Sequence, residues 1–171
     1  MCSCRAKPSI LERSYSFRVS AECYQFVIAD AWADEDLWWD DRTLIELFTL
    51  APGTVGIGTN CEGLVSVEVQ IWSSHARVNA ESWDHIVECG IEVPSGKLLI
   101  AGCFEILYEA AFSINLTAGS YGARICYGNQ YECGDGDPTC TGHYLVMLWP
   151  SKNKPTTVTK RCFDFFAEQV C

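Results

Sequence analysis

Along most of the chain, hydrophobic and polar residues alternate with period two. In "RSYSFRVS" (13–20), Tyr15, Phe17 and Val19 alternate with Ser14, Ser16 and Arg18, the pattern of a half-buried strand. "YQFVIADAW" (24–32) opens with Tyr24, Phe26 and Ile28 in one phase, and "TVGIGTN" (54–60) sets Val55 and Ile57 between glycines. "GLVSVEVQIW" (63–72) is the clearest case. Val65, Val67, Val69 and Ile71 share one face, with Ser66, Glu68 and Gln70 on the other. "HIVECGIEV" and "KLLIAGC" flank Pro94-Ser95-Gly96, whose composition predicts a tight turn joining an antiparallel hairpin. After the turn residues Thr117-Ala118-Gly119-Ser120, Tyr121, Ala123, Ile125 and Tyr127 alternate, and "HYLVMLWP" is a last apolar run stopped by Pro150.

About eight short strands at fairly even spacing predict an all-β fold, an antiparallel β-sandwich or jelly-roll-like domain. Helical spacing is scarce. "DDRTLIELFTL" (40–50) places Leu44, Leu47 and Phe48 at helix intervals, although its second half also fits a strand. The tail "TKRCFDFFAEQVC" sets Phe163, Phe166 and Val170 at spacings of three and four, which suits a short C-terminal helix. Its connector "PSKNKPTTVT" is polar and carries two prolines. The expected organisation is therefore a sandwich over 1–150 with a linker and tail over 151–171. No internal repeat is visible.

With 49% hydrophobic residues in 171, the chain can bury a core of its own. Its net charge of −10 repels phosphate backbones and anionic lipids and attracts cationic partners. The expected partner is a basic protein, with neither nucleic acid nor membrane. No apolar run is long enough for a membrane span, and "MCSCRAKPSILERSYSF" lacks the apolar core of a secretory signal. A cytoplasmic location is the expectation, and the eleven cysteines are then mainly reduced and structural. Nothing in the sequence calls for a cofactor.

Three groups of residues invite a chemical reading. Trp83-Asp84-His85 pairs an acid with an imidazole, but no nucleophile context accompanies it. Neighbours on a strand also point to opposite faces, so the triplet reads as a strand entrance. Cys133, Cys140 and His143 are metal-capable, yet C-x6-C-x2-H is not a zinc-finger spacing and no fourth ligand is evident. A metal-binding loop or metal-dependent enzyme is the alternative function this group leaves open. His75 is expected to be a loop residue without a role. "DAWADEDLWWDDRTLIE" (30–46) is the most unusual stretch, with seven carboxylates against Arg42 alone and Trp32, Trp38 and Trp39 interleaved. It reads either as a solvated loop whose tryptophans fold back on the sandwich or as a recognition surface. On the second reading aromatic anchors supply contact area and carboxylates steer a basic partner. The residues assigned to that surface are Asp34, Glu35, Asp36, Trp38, Trp39, Asp40 and Asp41, with Asp135 and Asp137 from a second acidic loop. A small-ligand sandwich with tryptophans lining a pocket is a third reading.

"WDHIVECGIEVPSGKLLIAGC", "LTAGSYGARICYG" and "GHYLVMLWP", in that order, resemble a group of uncharacterised bacterial proteins. Their pattern is W-D-H-V-x-E, V-P-S-G-x-L, P-G-x-Y-R-V-R-V and D-x-Y-x-x-x-L-W-P. More distantly, the order of strands is similar to competence protein J, an inhibitor of a DNA-entry nuclease. The resemblance covers residues 83–150 by motif and about 12–150 by architecture. It implies a β-sandwich and an inhibitory, non-catalytic role. The chain departs from the pattern at Ala118, where the group has proline, and at Gly122, where it has the first arginine of the Tyr-Arg strand. Cys133 and Cys140 are additions to the acidic loop.

Overall fold

The computed structural model describes residues 8–34, 36–102, 111–130, 142–152 and 156–160. The chain forms β1 (Leu11–Ser20), β2 (Gln25–Asp30), α1 (Asp41–Glu46), β3 (Phe48–Ala51), β4 (Thr54–Gly58) and β5 (Leu64–Trp72). It continues with β6 (His85–Val93), β7 (Lys97–Gly102), β8 (Phe112–Asn115), β9 (Gly119–Gly128), β10 (His143–Pro150) and β11 (Thr157–Lys160). Two sheets result, in the orders β1-β5-β10-β9-β6-β11 and β3-β4-β2-β7-β8. The all-β sandwich expected from the alternation is present. Among the described residues all pairings are antiparallel except β5 with β10, which run parallel. Among the described residues no helix is long and apolar enough to cross a membrane.

The core follows the sequence phase. Val65, Val67, Val69 and Ile71 of β5, Phe26 and Ile28 of β2, and Tyr121, Ala123, Ile125 and Tyr127 of β9 all lie between the sheets. Phe26, Tyr144 and Tyr127 meet edge to face, with centroids 5.2 and 5.6 Å apart, the arrangement aromatic quadrupoles favour.

Two expectations need correction. The strands flanking Pro94-Ser95-Gly96 do not form a hairpin: β6 pairs with β9 and β11, and β7 pairs with β2 and β8. The turn is a corner that carries the chain from one sheet to the other. The step from β8 to β9 is a second such corner, and the two touch where Leu116 N donates to Gly96 O at 2.8 Å. Gly96 has a φ of 69°, and a Cβ there would stand 3.0 Å from that region's Leu116 O, so both conformation and space call for glycine. Asp30, 2% exposed, clamps the first corner by accepting from the backbone N and hydroxyl of Ser95. The second correction concerns the polar connector, within which Thr157–Lys160 adds an edge strand to β6. The C-terminal helix expectation falls on residues 161–171, outside those described.

A smaller second core covers the outer face of the six-stranded sheet. Ala76 and the half-buried Trp72, Val78 and Trp83 pack over Ile86, Cys126, Leu145, Met147 and Trp149. Gly122 makes room for this layer, since a Cβ there would meet the Trp149 indole at 2.5 Å. The glycine that departs from the bacterial pattern is thus a packing requirement.

Candidate partner-binding surface

After a turn at 31–32, residues 33–34 and 36–40 lie over the outer face of the five-stranded sheet. Asp30 fixes their start, its Oδ2 accepting from Trp32 N at 2.9 Å and its backbone O from Ala33 N at 2.9 Å. From there exposure alternates. Ala31, Ala33, Leu37 and Trp39 are partly buried, while Trp32, Asp34, Asp36, Trp38 and Asp40 are exposed. Leu37 and Trp39 rest on Gly56 of β4, where an added Cβ would come within 2.8 Å of Leu37 Cδ1 and 3.1 Å of Trp39 Cζ2. Trp39 Nε1 donates to Gln25 Oε1 at 2.8 Å, and Thr49 Oγ1 donates to Trp38 O at 2.5 Å. The segment is therefore stitched to β2, β3 and β4 by its inward residues, leaving its outward residues displayed on a fixed backbone.

Asp40 ends the segment as the N-cap of α1. Its side chain accepts from Thr43 N at 2.8 Å, and Thr43 Oγ1 takes the Asp40 N–H at 2.7 Å, a closed capping box. The Thr43 bonds, backbone first, hold the Asp40 carboxyl below its ordinary value of 3.8. Arg42 turns to Glu46 at 3.2 Å. Asp34, Asp36, Asp40 and Asp41 make no ion pair among the described residues. The helix stops at Leu47, which adopts a left-handed φ of 58°. Two buried groups of the other sheet hold this end. Tyr127 donates to Leu47 O at 2.7 Å, and His85 Nε2 donates to Glu46 O at 2.8 Å. A carbonyl only accepts, so the Nε2 of His85 carries the proton.

The exposed face is apolar as well as acidic. Trp38 is 80% exposed and Trp32 71%, and Leu44 and Ile45 of the α1 that follows are exposed as well. The helix spacing of Leu44, Leu47 and Phe48 does not run through one helix, since Phe48 begins β3. With α1 only six residues long, Leu44 and Ile45 turn outward. Trp39, by contrast, is a half-buried anchor of the segment. Glu35, Asp135 and Asp137 lie outside the described residues, as do Cys133 and Cys140 of the metal-capable loop.

The other candidate residues separate in space. Trp83 packs on the outer face and His85 points into the core, while Asp84 Oδ2 accepts from Gln130 N at 2.9 Å, so the triplet is a strand entrance. His75, read as roleless, has partners: its Nε2 lies 3.2 Å from Glu88 Oε1 and 2.9 Å from Arg124. Arg124 is buried, pairs with Glu88 and donates to Ala76 O, which fastens the covering segment to the sheet. Residues 75 and 124 lie 49 apart in sequence, and no local pattern signals their contact.

The class defined by this architecture is a two-sheet β-sandwich with a tethered, outward-facing acidic and aromatic segment. Among solved structures it is similar to ComJ from Bacillus subtilis, described as the inhibitor of the DNA degrading activity of NucA. The TM-score is 0.62 at 13% identity, over 84% of this chain and 99% of that one. It is also similar to the protein of crocagin biosynthetic gene J, with a TM-score of 0.54 at 16% identity, over 85% and 99%. At such identities the likeness is one of fold. No protein-family model matches the sequence, and no curated protein matches it by sequence.

Proposed function

We propose that this chain is a non-catalytic protein-binding module that neutralises a basic partner, such as a nuclease, by covering its polyanion-binding surface. The observation that carries this reading is the display of Trp32 and Trp38 among four carboxylates that form no ion pair among the described residues, on a backbone held by Asp30, Trp39 and Thr49. Exposed indoles on a preorganised backbone supply anchors at low ordering cost. Carboxylates mimic the charge of the polyanion and accelerate encounter. The shared fold with an inhibitor of a DNA-degrading enzyme supports the same direction.

The test begins with capture of partners on the immobilised chain from a lysate of its host, followed by assay of DNA degradation. A basic nuclease, recovered and inhibited at one-to-one stoichiometry, is the expected result. Trp38→Ala should then weaken binding by about 2 kcal/mol or more. Because Trp38 is 80% exposed, stability should change by no more than about 0.5 kcal/mol. An inhibitor whose potency is indifferent to Trp38 and to the carboxylates would remove this surface from the mechanism.

A further inference from the structure

On the opposite side of the sandwich, the covering segment protects only part of the six-stranded sheet. Beside it a groove of about 370 Å³ remains, within the range of small-molecule sites. Its floor is made by outward residues of β1, β5 and β10, and cross-strand register fixes their order. Arg18 lies opposite Ser66, and Ser66 opposite His143. In the next row Ser16 lies opposite Glu68, and Glu68 opposite Leu145. Trp83 forms the wall, its ring tilted against that of His143 with centroids 5.0 Å apart.

This arrangement is built and has polar capacity to spare. His143 lies flat on bare backbone at Gly128, where any Cβ would come within 2.3 Å of the imidazole. Lys160 Nζ holds the Trp83 carbonyl from behind. Among the described residues the hydroxyls of Ser16 and Ser66 bond nothing, and the Arg18 guanidinium makes only a 3.4 Å contact with Leu64 O. Glu68 is engaged through Oε1 alone, by Ser14 and Gln70.

We propose that this groove binds a small, flat molecule carrying one carboxylate. The guanidinium fork of Arg18 takes the carboxylate, assisted by the Ser66 and Ser16 hydroxyls. The flat body lies over Leu145 against the Trp83 indole, and a ring N–H meets the open oxygen of Glu68. The site is independent of the acidic surface, since Leu37 and Trp39 cover the other sheet.

The probe is indole-3-acetate, titrated into the full ¹⁵N-labelled chain, with tryptamine and tryptophol as cationic and neutral controls. Saturable shifts of the Trp83 indole N–H and of the His143 amide are expected with indole-3-acetate. Tryptamine should bind about tenfold more weakly, against the pull of a chain with net charge −10. Arg18→Gln, at an exposed position, should leave the spectrum otherwise unchanged and weaken indole-3-acetate about tenfold. His143→Gln gives a second variant at the other end of the row. Absence of a saturable shift up to the solubility limit would overturn the proposal, as would equal binding by tryptamine or by the Arg18 variant.

Discussion

Burial decides the chemistry of single residues in this protein. Cys61 is disulfide-bonded, whereas Cys23, Cys89 and Cys126 are free. Desolvation pushes the thiols of Cys89 and Cys126 up to about 12, with Glu88 adding to the effect in both and Arg124 opposing it at Cys126. Thiolate is the reactive form. In native protein an alkylating reagent should therefore modify exposed Cys23, while Cys89 and Cys126 react only after denaturation. Peptide mapping before and after unfolding checks this, and rapid native labelling of Cys89 would contradict it. Asp40 supplies a pH test. Its folded-state value lies below the ordinary 3.8, so its capping contribution is complete above that value and fades as pH falls through the lowered one. Asp40→Asn keeps a cap without the titration, so the variant's stability should depend less steeply on pH below about 4 in acid-unfolding curves.

At the scale of elements, alternation and apolar runs located the longer strands, whose inward face a one-residue slip would expose, but not the four-residue strands β8 and β11. What alternation does not carry is the choice of sheet. Pro94-Ser95-Gly96 has the composition of a hairpin turn, yet the pairings of β6 and β7 are made with strands distant in sequence. The clamp at that corner is Asp30, 65 residues away from Ser95. The helix was half legible. Its cap and first turn are local, but its stop at Leu47 depends on Tyr127 and His85 reaching across the sandwich. The covering segment 73–84 is fastened by residues distant in sequence, Arg124 of β9 and Lys160 of β11, which no local pattern signals. Replacing Arg124 by Met should leave Glu88 without its buried partner and cost about 3 kcal/mol or more. Chemical denaturation measures this directly, and a neutral substitution would show that the Arg124–Glu88 pair does not hold the segment.

Across the whole molecule the two sheets present unlike faces. One is crossed by a stitched acidic segment with exposed indoles, and the other is partly covered and keeps a polar groove. The acidic stretch was conspicuous in the sequence as seven carboxylates and three tryptophans. Its internal division, with Trp39 holding and Trp38 displayed, required the positions of Gln25 and Gly56. Leu44 and Ile45 are exposed on a helix only six residues long.

The most direct test of the proposed function is the rate of association with the captured partner, measured between about 0.1 M and 1 M salt. Over that range the screening length falls from about 10 Å to about 3 Å. The wild-type chain is compared with a variant in which Asp34, Asp36, Asp40 and Asp41 are replaced by Asn or Ser, residues that retain the helix cap. The wild-type rate should fall steeply with salt. The variant should associate at least about tenfold more slowly at low salt, with a nearly flat dependence. Superimposable rates for the two proteins at every salt concentration would contradict electrostatic capture by this surface.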